Sequence, residues 1–269
     1  MDARPIGMFD SGFGGLSVLR ALMEQLPYES VHYVSDSARC PYGPQPSSHI
    51  LAYSREITQF LIHQGCKMIV VACNTATASA IHTLRQEFDI PFVGMEPALK
   101  PAAKASQTGT IGILATHGTF HGAHFQRTKE RYAHEVQVVS RVGNGLVELV
   151  ESGDLDSPTA RQLVGGYIQD LLAQHCDQIV LGCTHYPFLR PIMDPIVAGK
   201  AQIIDPAPAV ARQVGRILQD QSLQSPQQEP LYQFFSSGSL FQMQELIPIL
   251  LPEMAQKPHR LAEWIPTPM

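Results

Sequence analysis

An internal repeat is the feature that most constrains the fold of this chain. Residues 66–75 (CKMIVVACNT) align with residues 176–185 (CDQIVLGCTH), so that both cysteines recur after 110 positions. Residues 96–98 (EPA) align with 205–207 (DPA) at an offset of 109, and residues 6–8 (IGM) resemble residues 111–113 (IGI) at an offset of 105. Small differences in offset are what changes in loop length produce. The repeat predicts two similar lobes within the 269 residues.

Short apolar runs alternate with longer segments of helical character. Residues 68–72 (MIVVA) are apolar throughout, which is typical of a parallel strand buried on both faces. Further strands are predicted at 6–9, 31–34, 91–93, 111–114, 136–139, 179–181 and 203–204, and helices at 16–25, 48–63, 75–88 and 98–105. Because such alternation is typical of parallel sheets, we predict an α/β fold of two similar parallel-sheet lobes with the active site in the cleft between them.

The C-terminal part of the chain is set apart by composition. Residues 219–230 (QDQSLQSPQQEP) are polar and rich in Gln, Ser and Pro, which predicts an exposed linker. Beyond it, residues 231–269 contain one strand-like run at 232–235 and one predicted helix at 240–250.

Charge and hydropathy exclude two classes of partner. The net charge is −5 and basic runs are absent, which argues against a nucleic-acid partner. No apolar stretch approaches the roughly 18 residues of a membrane span. Since the first residues lack the apolar core of a signal peptide, we expect a cytoplasmic protein whose five cysteines are free thiols.

Two of these cysteines, Cys73 and Cys183, occupy equivalent places in the repeat. Each follows an apolar strand and precedes polar residues at an expected helix start, where unpaired backbone N–H groups favour an anion and lower a thiol pKa from about 8.5. Two such thiols on opposite walls of a cleft could act on opposite faces of one carbon, one removing a proton and the other delivering one. The alternative is a pair of buried structural cysteines.

The turn after the first predicted strand, residues 10–15 (DSGFGG), is rich in glycine. Its backbone could approach an anion at a helix N-terminus, although the motif is not the G-x-G-x-x-G of dinucleotide-binding folds. Asp10 and Ser11 could equally be helix-capping residues. Residues 41–44 (PYGP) predict a rigid turn that either forms a cleft wall, donating a backbone N–H and a phenol, or is a plain turn.

Histidines offer two further candidates. His185 follows Cys183 by two residues and could polarise that thiol. His117, His121 and His124 have the spacing of one helical face, which suits a metal site or simply surface histidines.

Several sequence blocks, in order along nearly the whole chain, resemble those of the glutamate racemases in the aspartate/glutamate racemase superfamily. The matching blocks are residues 6–15 (IGMFDSGFGG), 41–43 (PYG), 70–78 (VVACNTATA), 147–153 (VELVESG), 182–187 (GCTHYP), 204–205 (ID) and 237–238 (SG). The resemblance implies a cofactor-independent enzyme that interconverts L- and D-glutamate and supplies D-glutamate for peptidoglycan in a bacterial cytosol. Its small-molecule partner would be glutamate, and a homodimer is expected.

The resemblance also assigns lobes and roles. Residues 1–97 with 208–269 would form the first α/β lobe and residues 98–207 the second, because the chain end returns to the first lobe. Cys73 would be the base toward D-glutamate, assisted by Asp10. Cys183 would be the base toward L-glutamate, assisted by Glu151 and His185. The substrate would be held by Ser11, Tyr42, Gly43, Asn74, Thr75, Thr119 and Thr184, with Thr116 a weaker match. No metal and no cofactor is expected.

Two other functions stay open on the sequence alone. An aspartate racemase of the same superfamily would share the two cysteines, and a kinetic comparison of the two amino acids separates it. A two-lobed binding module would also have paired α/β lobes, but such modules are mostly exported and need no thiol at both strand ends.

Overall fold

A computed structural model describes residues 1–132, 135–226 and 229–266. The strands in these residues are β1 (Ile6–Asp10), β2 (Val31–Ser35), β3 (Met68–Val71), β4 (Phe92–Gly94), β5 (Thr110–Ala115), β6 (Gln137–Val142), β7 (Gln178–Gly182), β8 (Gln202–Ile204), β9 (Tyr232–Ser236) and β10 (His259–Glu263). The α-helices are α1 (Leu16–Gln25), α2 (Ser47–His63), α3 (Asn74–Glu87), α4 (Leu99–Ala105), α5 (His117–His121), α6 (Ala123–Tyr132), α7 (Leu146–Glu151), α8 (Pro158–Ala173), α9 (Arg190–Val197), α10 (Ala207–Asp220) and α11 (Leu240–Leu250).

The strands form two sheets in which every pairing is parallel. The first sheet has the order β10-β9-β2-β1-β3-β4, and the second has the order β6-β5-β7-β8. The run β2-β1-β3-β4 and the second sheet therefore have the same topology, which is the structural form of the sequence repeat. The predicted α/β fold with two parallel-sheet lobes is confirmed.

Strand membership follows the chain in three blocks. Every strand of the first sheet lies within residues 1–97 or 208–269, and every strand of the second lies within 98–207. Helix α10, which follows the last strand of the second sheet, packs against α1 of the first lobe. The exact limits of the lobes stay a prediction.

The C-terminal part contains one strand that the sequence did not predict. Strand β9 and helix α11 lie where the sequence placed them, and β10 adds a parallel edge strand beside β9. The residues of β10 (HRLAE) are exposed or half-buried, so no apolar run marks them. The predicted linker at 219–230 begins inside helix α10, and its residues 227 and 228 lie outside the described part of the chain.

Burial of the central strands determines where the polar chemistry lies. All residues of β1, β3, β5 and β7 are buried, because helices cover both faces of each sheet. The polar side chains of interest therefore lie at the carboxyl ends of the strands or in the loops that follow them. The carboxyl ends of β1 and β3 bring residues 10–15 and 72–75 to one edge of the first sheet. In the described ranges, no helix is long and apolar enough to cross a membrane.

A buried ion pair at the amino ends of the strands of the first sheet gives a prediction about stability. Lys67 is fully buried, and its Nζ lies 2.6 Å from Oε2 of Glu29 and 2.8 Å from the carbonyl oxygen of Asp2. Lys67→Ala leaves the Glu29 carboxylate buried without its cation, so we expect a loss of about 3–5 kcal/mol in the free energy of unfolding. Urea titration at neutral pH measures this loss.

Arg161→Ala is the matched control for that substitution. The Arg161–Asp156 pair has a similar separation of 2.7 Å, but both side chains are more than half exposed. Water screens such a pair, so the expected change stays below about 1 kcal/mol. Equal losses in the two variants would contradict the importance of burial at Lys67.

Candidate active site

One cavity between the lobes brings together the two cysteines that the repeat singled out. The empty space between its lining atoms is about 250 Å³, part of which is open to solvent. Its lining comprises Ser11, Pro41, Tyr42, Gly43, Cys73, Asn74, Thr75, Thr116, Val147, Cys183, Thr184 and His185. The loops that follow β1 and β3 supply one wall, and the loops that follow β5 and β7 supply the other. Larger surface pockets exist, such as one beside α8, but the residues that line it contain no cysteine or histidine.

Cys73 is the N-cap of helix α3. Its sulfur accepts a hydrogen bond from the backbone N–H of Ala76 at 3.4 Å, and its thiol donates toward Oγ of Ser11 at 3.8 Å. Burial raises the pKa of this thiol well above its usual value, and the nearby Asp10 carboxylate raises it further. The expected lowering of the Cys73 pKa is therefore wrong, because loss of hydration outweighs the effect of the helix N-terminus.

Cys183 has a different neighbour. Strand β7 ends at Gly182, but the chain then forms a short 3₁₀ turn at Tyr186–Leu189, and α9 begins only at Arg190. The predicted helix start after Cys183 is therefore wrong. The polar partner of Cys183 is His185, whose Nδ1 lies 3.6 Å from the sulfur.

His185 connects Cys183 to a carboxylate. Its Nε2 donates to Oε1 of Glu151 at 2.6 Å, and the ring is 2% exposed. Burial alone lowers the pKa of His185, but the hydrogen bonds to Cys183 and Glu151 outweigh burial and raise this pKa well above 6.5. The two thiols therefore have unlike neighbours, since Cys73 lies near the Asp10 carboxylate and Cys183 beside the imidazole of His185.

The two lobes exchange hydrogen bonds through their carboxylates. Oε1 of Glu151, in the second lobe, also accepts the backbone N–H of Phe13 in the first lobe at 2.7 Å. Asp10, in the first lobe, accepts the hydroxyl of Thr184 in the second at 3.0 Å and the backbone N–H of Ser11 at 2.6 Å. Asp10 is fully buried behind the cavity wall, and this burial raises its pKa. Asp10 thus touches the loop of Cys183 as well as Ser11, the neighbour of Cys73.

Six of the seven residues expected to hold a substrate line the cavity: Ser11, Tyr42, Gly43, Asn74, Thr75 and Thr184. Thr119 does not, because its hydroxyl lies behind the wall, 3.0 Å from that of Thr116 and 3.3 Å from that of Thr75. The phenol of Tyr42 is also turned away from a substrate, since it donates to the buried carboxylate of Asp36. Tyr42 is therefore a wall residue rather than a donor of its hydroxyl.

Three further residues line the cavity: Thr116, the weaker match, Pro41 of the predicted turn, and Val147, which sequence reasoning did not single out. The repeat contains a signal for Thr116, because the offset of 105 that relates β1 to β5 also relates Ser11 to Thr116. Both side chains follow the first strand of their lobe and reach the same cavity. Val147 carries no chemical signal, and only the fold brings it here.

The three-histidine metal site suggested by spacing does not form. Helix α5 ends at His121, and the extended backbone of Gly122 separates it from α6, which carries His124. The rings of His117 and His121 stack at 4.2 Å, whereas His124 pairs with Glu96 at 3.1 Å. The three imidazoles therefore do not converge.

The hydrogen bond between His185 and Glu151 predicts a pH dependence. Because the pKa of folded His185 is raised, its charged form stabilises the fold fully below about pH 6.5, and this stabilisation is lost as the pH rises through the folded pKa. Glu151→Gln removes the anionic partner, so we expect the pKa of His185 to fall. The loss of stability should be larger between about pH 5 and 7 than at alkaline pH. NMR titration of the ring and urea unfolding across pH measure both effects.

Glu148→Gln is the control for that variant, since Glu148 lies on the same helix, one turn earlier, and is exposed. It should leave both the His185 titration and the pH profile of stability unchanged. An unshifted His185 titration in Glu151→Gln would contradict the assigned role of Glu151.

Two thiols from equivalent strand ends, facing one enclosed polar cavity, are the arrangement of an isomerase that moves a proton on both faces of a carbon. The model of the Asp/Glu/Hydantoin racemase family matches residues 6–214. A glutamate racemase of Ectopseudomonas mendocina is 46% identical over 253 residues, which are 94% of this chain and 96% of that protein.

Solved structures give the same result. Glutamate racemase isoform RacE1 of Bacillus anthracis superposes with a TM-score of 0.87 at 29% identity, covering 99% of this chain and 98% of that one. Glutamate racemase of Francisella tularensis, solved in complex with D-glutamate, superposes with a TM-score of 0.85 at 26% identity over the same shares of the two chains. The chain belongs to the Asp/Glu/hydantoin racemase family.

Proposed function

We propose that this enzyme interconverts L- and D-glutamate without a cofactor, by proton transfer at Cα between two cysteine thiols. The observation that carries the proposal is the presence of Cys73 and Cys183 in one cavity, each from the equivalent loop of a different lobe. The family relatives named above are glutamate racemases, and one of their structures holds D-glutamate.

The polar groups of the cavity suit the charges of glutamate, an ammonium and two carboxylates. Hydroxyls of Thr75 and Thr116 can donate to carboxylate oxygens, whereas those of Ser11 and Thr184 donate to Asp10. The buried side-chain oxygen of Asn74 has no partner within the described chain and can accept from the ammonium. No Lys or Arg is among the lining residues, and His185, which is paired with Glu151, is the lining side chain that can carry a positive charge.

The proton path follows from the placement of the two thiols in one cavity. With L-glutamate bound, the Cys183 thiolate removes the Cα proton, and the Cys73 thiol delivers its proton to the opposite face. In the reverse direction Cys73 is the base and Cys183 the acid, so the same residues exchange roles. His185, held by Glu151, contacts the sulfur of Cys183 and takes no proton from the substrate itself. Hydrogen-bond donors fixed in a buried cavity lower the barrier by stabilising charge that develops at the substrate carboxylate.

Incubation in heavy water tests the reaction type. Protein freed of metals and cofactors is given pure L- or D-glutamate, and optical purity and deuterium at Cα are followed. We expect both enantiomers to approach an equal mixture, with one deuterium gained for each inversion. Retained optical purity and no deuterium would contradict the proposal, and saturable glutamate binding under those conditions would indicate a binding module.

The same assay with aspartate tests the substrate. We expect kcat/KM to be much higher for glutamate, because a cavity that holds both carboxylates of glutamate leaves one donor set unpaired when a methylene is missing. A preference for aspartate would make aspartate, the shorter homologue, the assigned substrate. The two-thiol mechanism would be unaffected.

The proposed reaction implies a cellular role. D-glutamate is a component of peptidoglycan, so the enzyme would supply cell-wall synthesis from the cytoplasm. We also propose a homodimer, which light scattering during size-exclusion chromatography would test directly.

A further inference from the structure

A third cysteine lies beside the catalytic histidine. Ligand atoms of Cys40, Glu151 and His185 all lie within 4.8 Å of one another. Among the described residues, no other group of three or more metal-ligating side chains comes so close together. Cys40 comes from the loop after β2 in the first lobe, and the other two come from the second lobe. The proposed proton transfer does not use Cys40.

The space around these atoms is preserved by a glycine. A Cβ built at Gly12 would lie 2.1 Å from Oε1 of Glu151 and 2.9 Å from Sγ of Cys40, so any side chain at Gly12 would fill the gap between them. The site is not sealed, since Cys40 is half-buried and the side chain of Glu151 is 15% exposed. A small ion can therefore reach the three ligand atoms from the mouth of the cleft.

The donor set matches a borderline-soft cation. Zinc accepts thiolate, imidazole and carboxylate ligands at about 2.0–2.3 Å, which places tetrahedral ligand atoms about 3.3–3.8 Å apart. The Nε2 of His185 and Oε1 of Glu151, now 2.6 Å apart, would separate by about 1 Å, and the sulfur of Cys40 would move in by a similar distance. A water molecule would complete the tetrahedron.

We propose that Cys40, Glu151 and His185 form an inhibitory site for Zn²⁺ or a cation of similar softness. Binding forms one bond each from zinc to sulfur, oxygen and nitrogen. The thiol proton of Cys40 and the Nε2 proton of His185 leave to solvent. The ion takes the nitrogen that donates to Glu151 and ties Cys40 of the first lobe to His185 of the second. The ring keeps its Nδ1 proton but moves from its position beside Cys183. Racemisation stops until the ion is removed.

Activity measured against free Zn²⁺ tests the site, and this readout rests on the proposed function. Wild-type racemisation should fall as zinc is added and recover with EDTA, whereas Mg²⁺, which prefers oxygen ligands, should have no effect. Cys40→Ala and Cys40→Ser should keep metal-free activity and need at least about tenfold more zinc for half inhibition. Equal zinc sensitivity in wild type and both Cys40 variants would overturn the site, because the ion would then bind elsewhere, such as between Cys73 and Cys183.

Direct binding of Co²⁺ gives a readout that needs no activity. In Cys73→Ser/Cys183→Ser protein, Cys40 is the thiol left near the cavity, and Co²⁺ should produce a thiolate-to-cobalt absorption band. Adding Cys40→Ser should abolish that band. Adding His117→Ala should not, because His117 is an exposed residue of helix α5. A band that survives Cys40→Ser, or no band in the parent variant, would overturn the proposal even if the racemase assay fails.

Discussion

Replacing either Cys73 or Cys183 by alanine should lower the rate of glutamate racemisation by a factor of about 100 to 10,000, in both directions. Each inversion needs one thiol to remove the Cα proton and the other to deliver one, so neither direction proceeds with one thiol alone. The magnitude is that of losing a positioned acid or base. Circular dichroism of the amino acid, started from each enantiomer, measures the two rates.

The double variant sharpens this test. Two groups that act in one proton transfer form a unit, so Cys73→Ala/Cys183→Ala should be little slower than either single variant. Losses that multiply would indicate two independent contributions. Serine replacements, which keep nearly the same volume, separate the loss of the thiol from the loss of packing.

Cys66→Ala and Cys176→Ala are the matched controls. They lie at the start of the same two stretches of the repeat, just before β3 and β7, and are as buried as Cys73 and Cys183, with 3% and 2% of their surface exposed. They do not line the cavity. Racemisation should stay within about threefold of wild type, since only general acid–base groups carry the larger effect. Full activity in either Cys73→Ala or Cys183→Ala would refute the two-thiol mechanism.

A second large effect is expected from a single methyl group at the junction of the lobes. A Cβ at Gly14 would lie 2.3 Å from Nδ1 of His185 and 2.6 Å from its Cε1. The ring has no room to retreat, because Glu151 holds it at 2.6 Å and it is buried. Gly14→Ala should therefore displace His185 from Cys183 and lower racemisation about 100-fold, the cost of misplacing a catalytic group by about 1 Å.

Gly166→Ala is the control for added volume. Gly166 lies in helix α8, and a Cβ there would meet no atom within 4 Å. Alanine should leave activity unchanged and stabilise the helix by up to about 1 kcal/mol. Steady-state kinetics and thermal unfolding of both variants make the comparison. Wild-type kinetics in Gly14→Ala would show that racemisation does not require His185 to stay beside Cys183.

Sequence reasoning reached most of the fold because its signals are local or repeated. Apolar runs mark the buried strands β3 and β7, and the offset of 110 residues relates these two strands along the chain. Strand β10 escaped, because an exposed edge strand has no apolar pattern. The helix expected after Cys183 was wrong, because polar residues after a strand do not distinguish an α-helix from a 3₁₀ turn.

The candidate residues of the site were named from sequence, but their contacts were not. The pKa of Cys73 moves in the direction opposite to the local prediction, because burial is a property of the whole fold and outweighs one helix terminus. The hydroxyl of Thr119 pairs with that of Thr116, and the phenol of Tyr42 donates to the buried carboxylate of Asp36. The residue types alone do not show which of these partners a hydroxyl takes.

The sequence by itself determined the two parallel-sheet lobes, the equivalence of Cys73 and Cys183, and the residue types available for proton transfer. Only the tertiary structure decided that the two thiols have unlike partners and that each lobe lends a carboxylate to the other. It also placed Cys40 beside Glu151 and His185. Periodicity and repeats are read along the chain, whereas desolvation, ion pairing and metal ligation depend on atoms that are distant in sequence and meet only when the lobes close on each other.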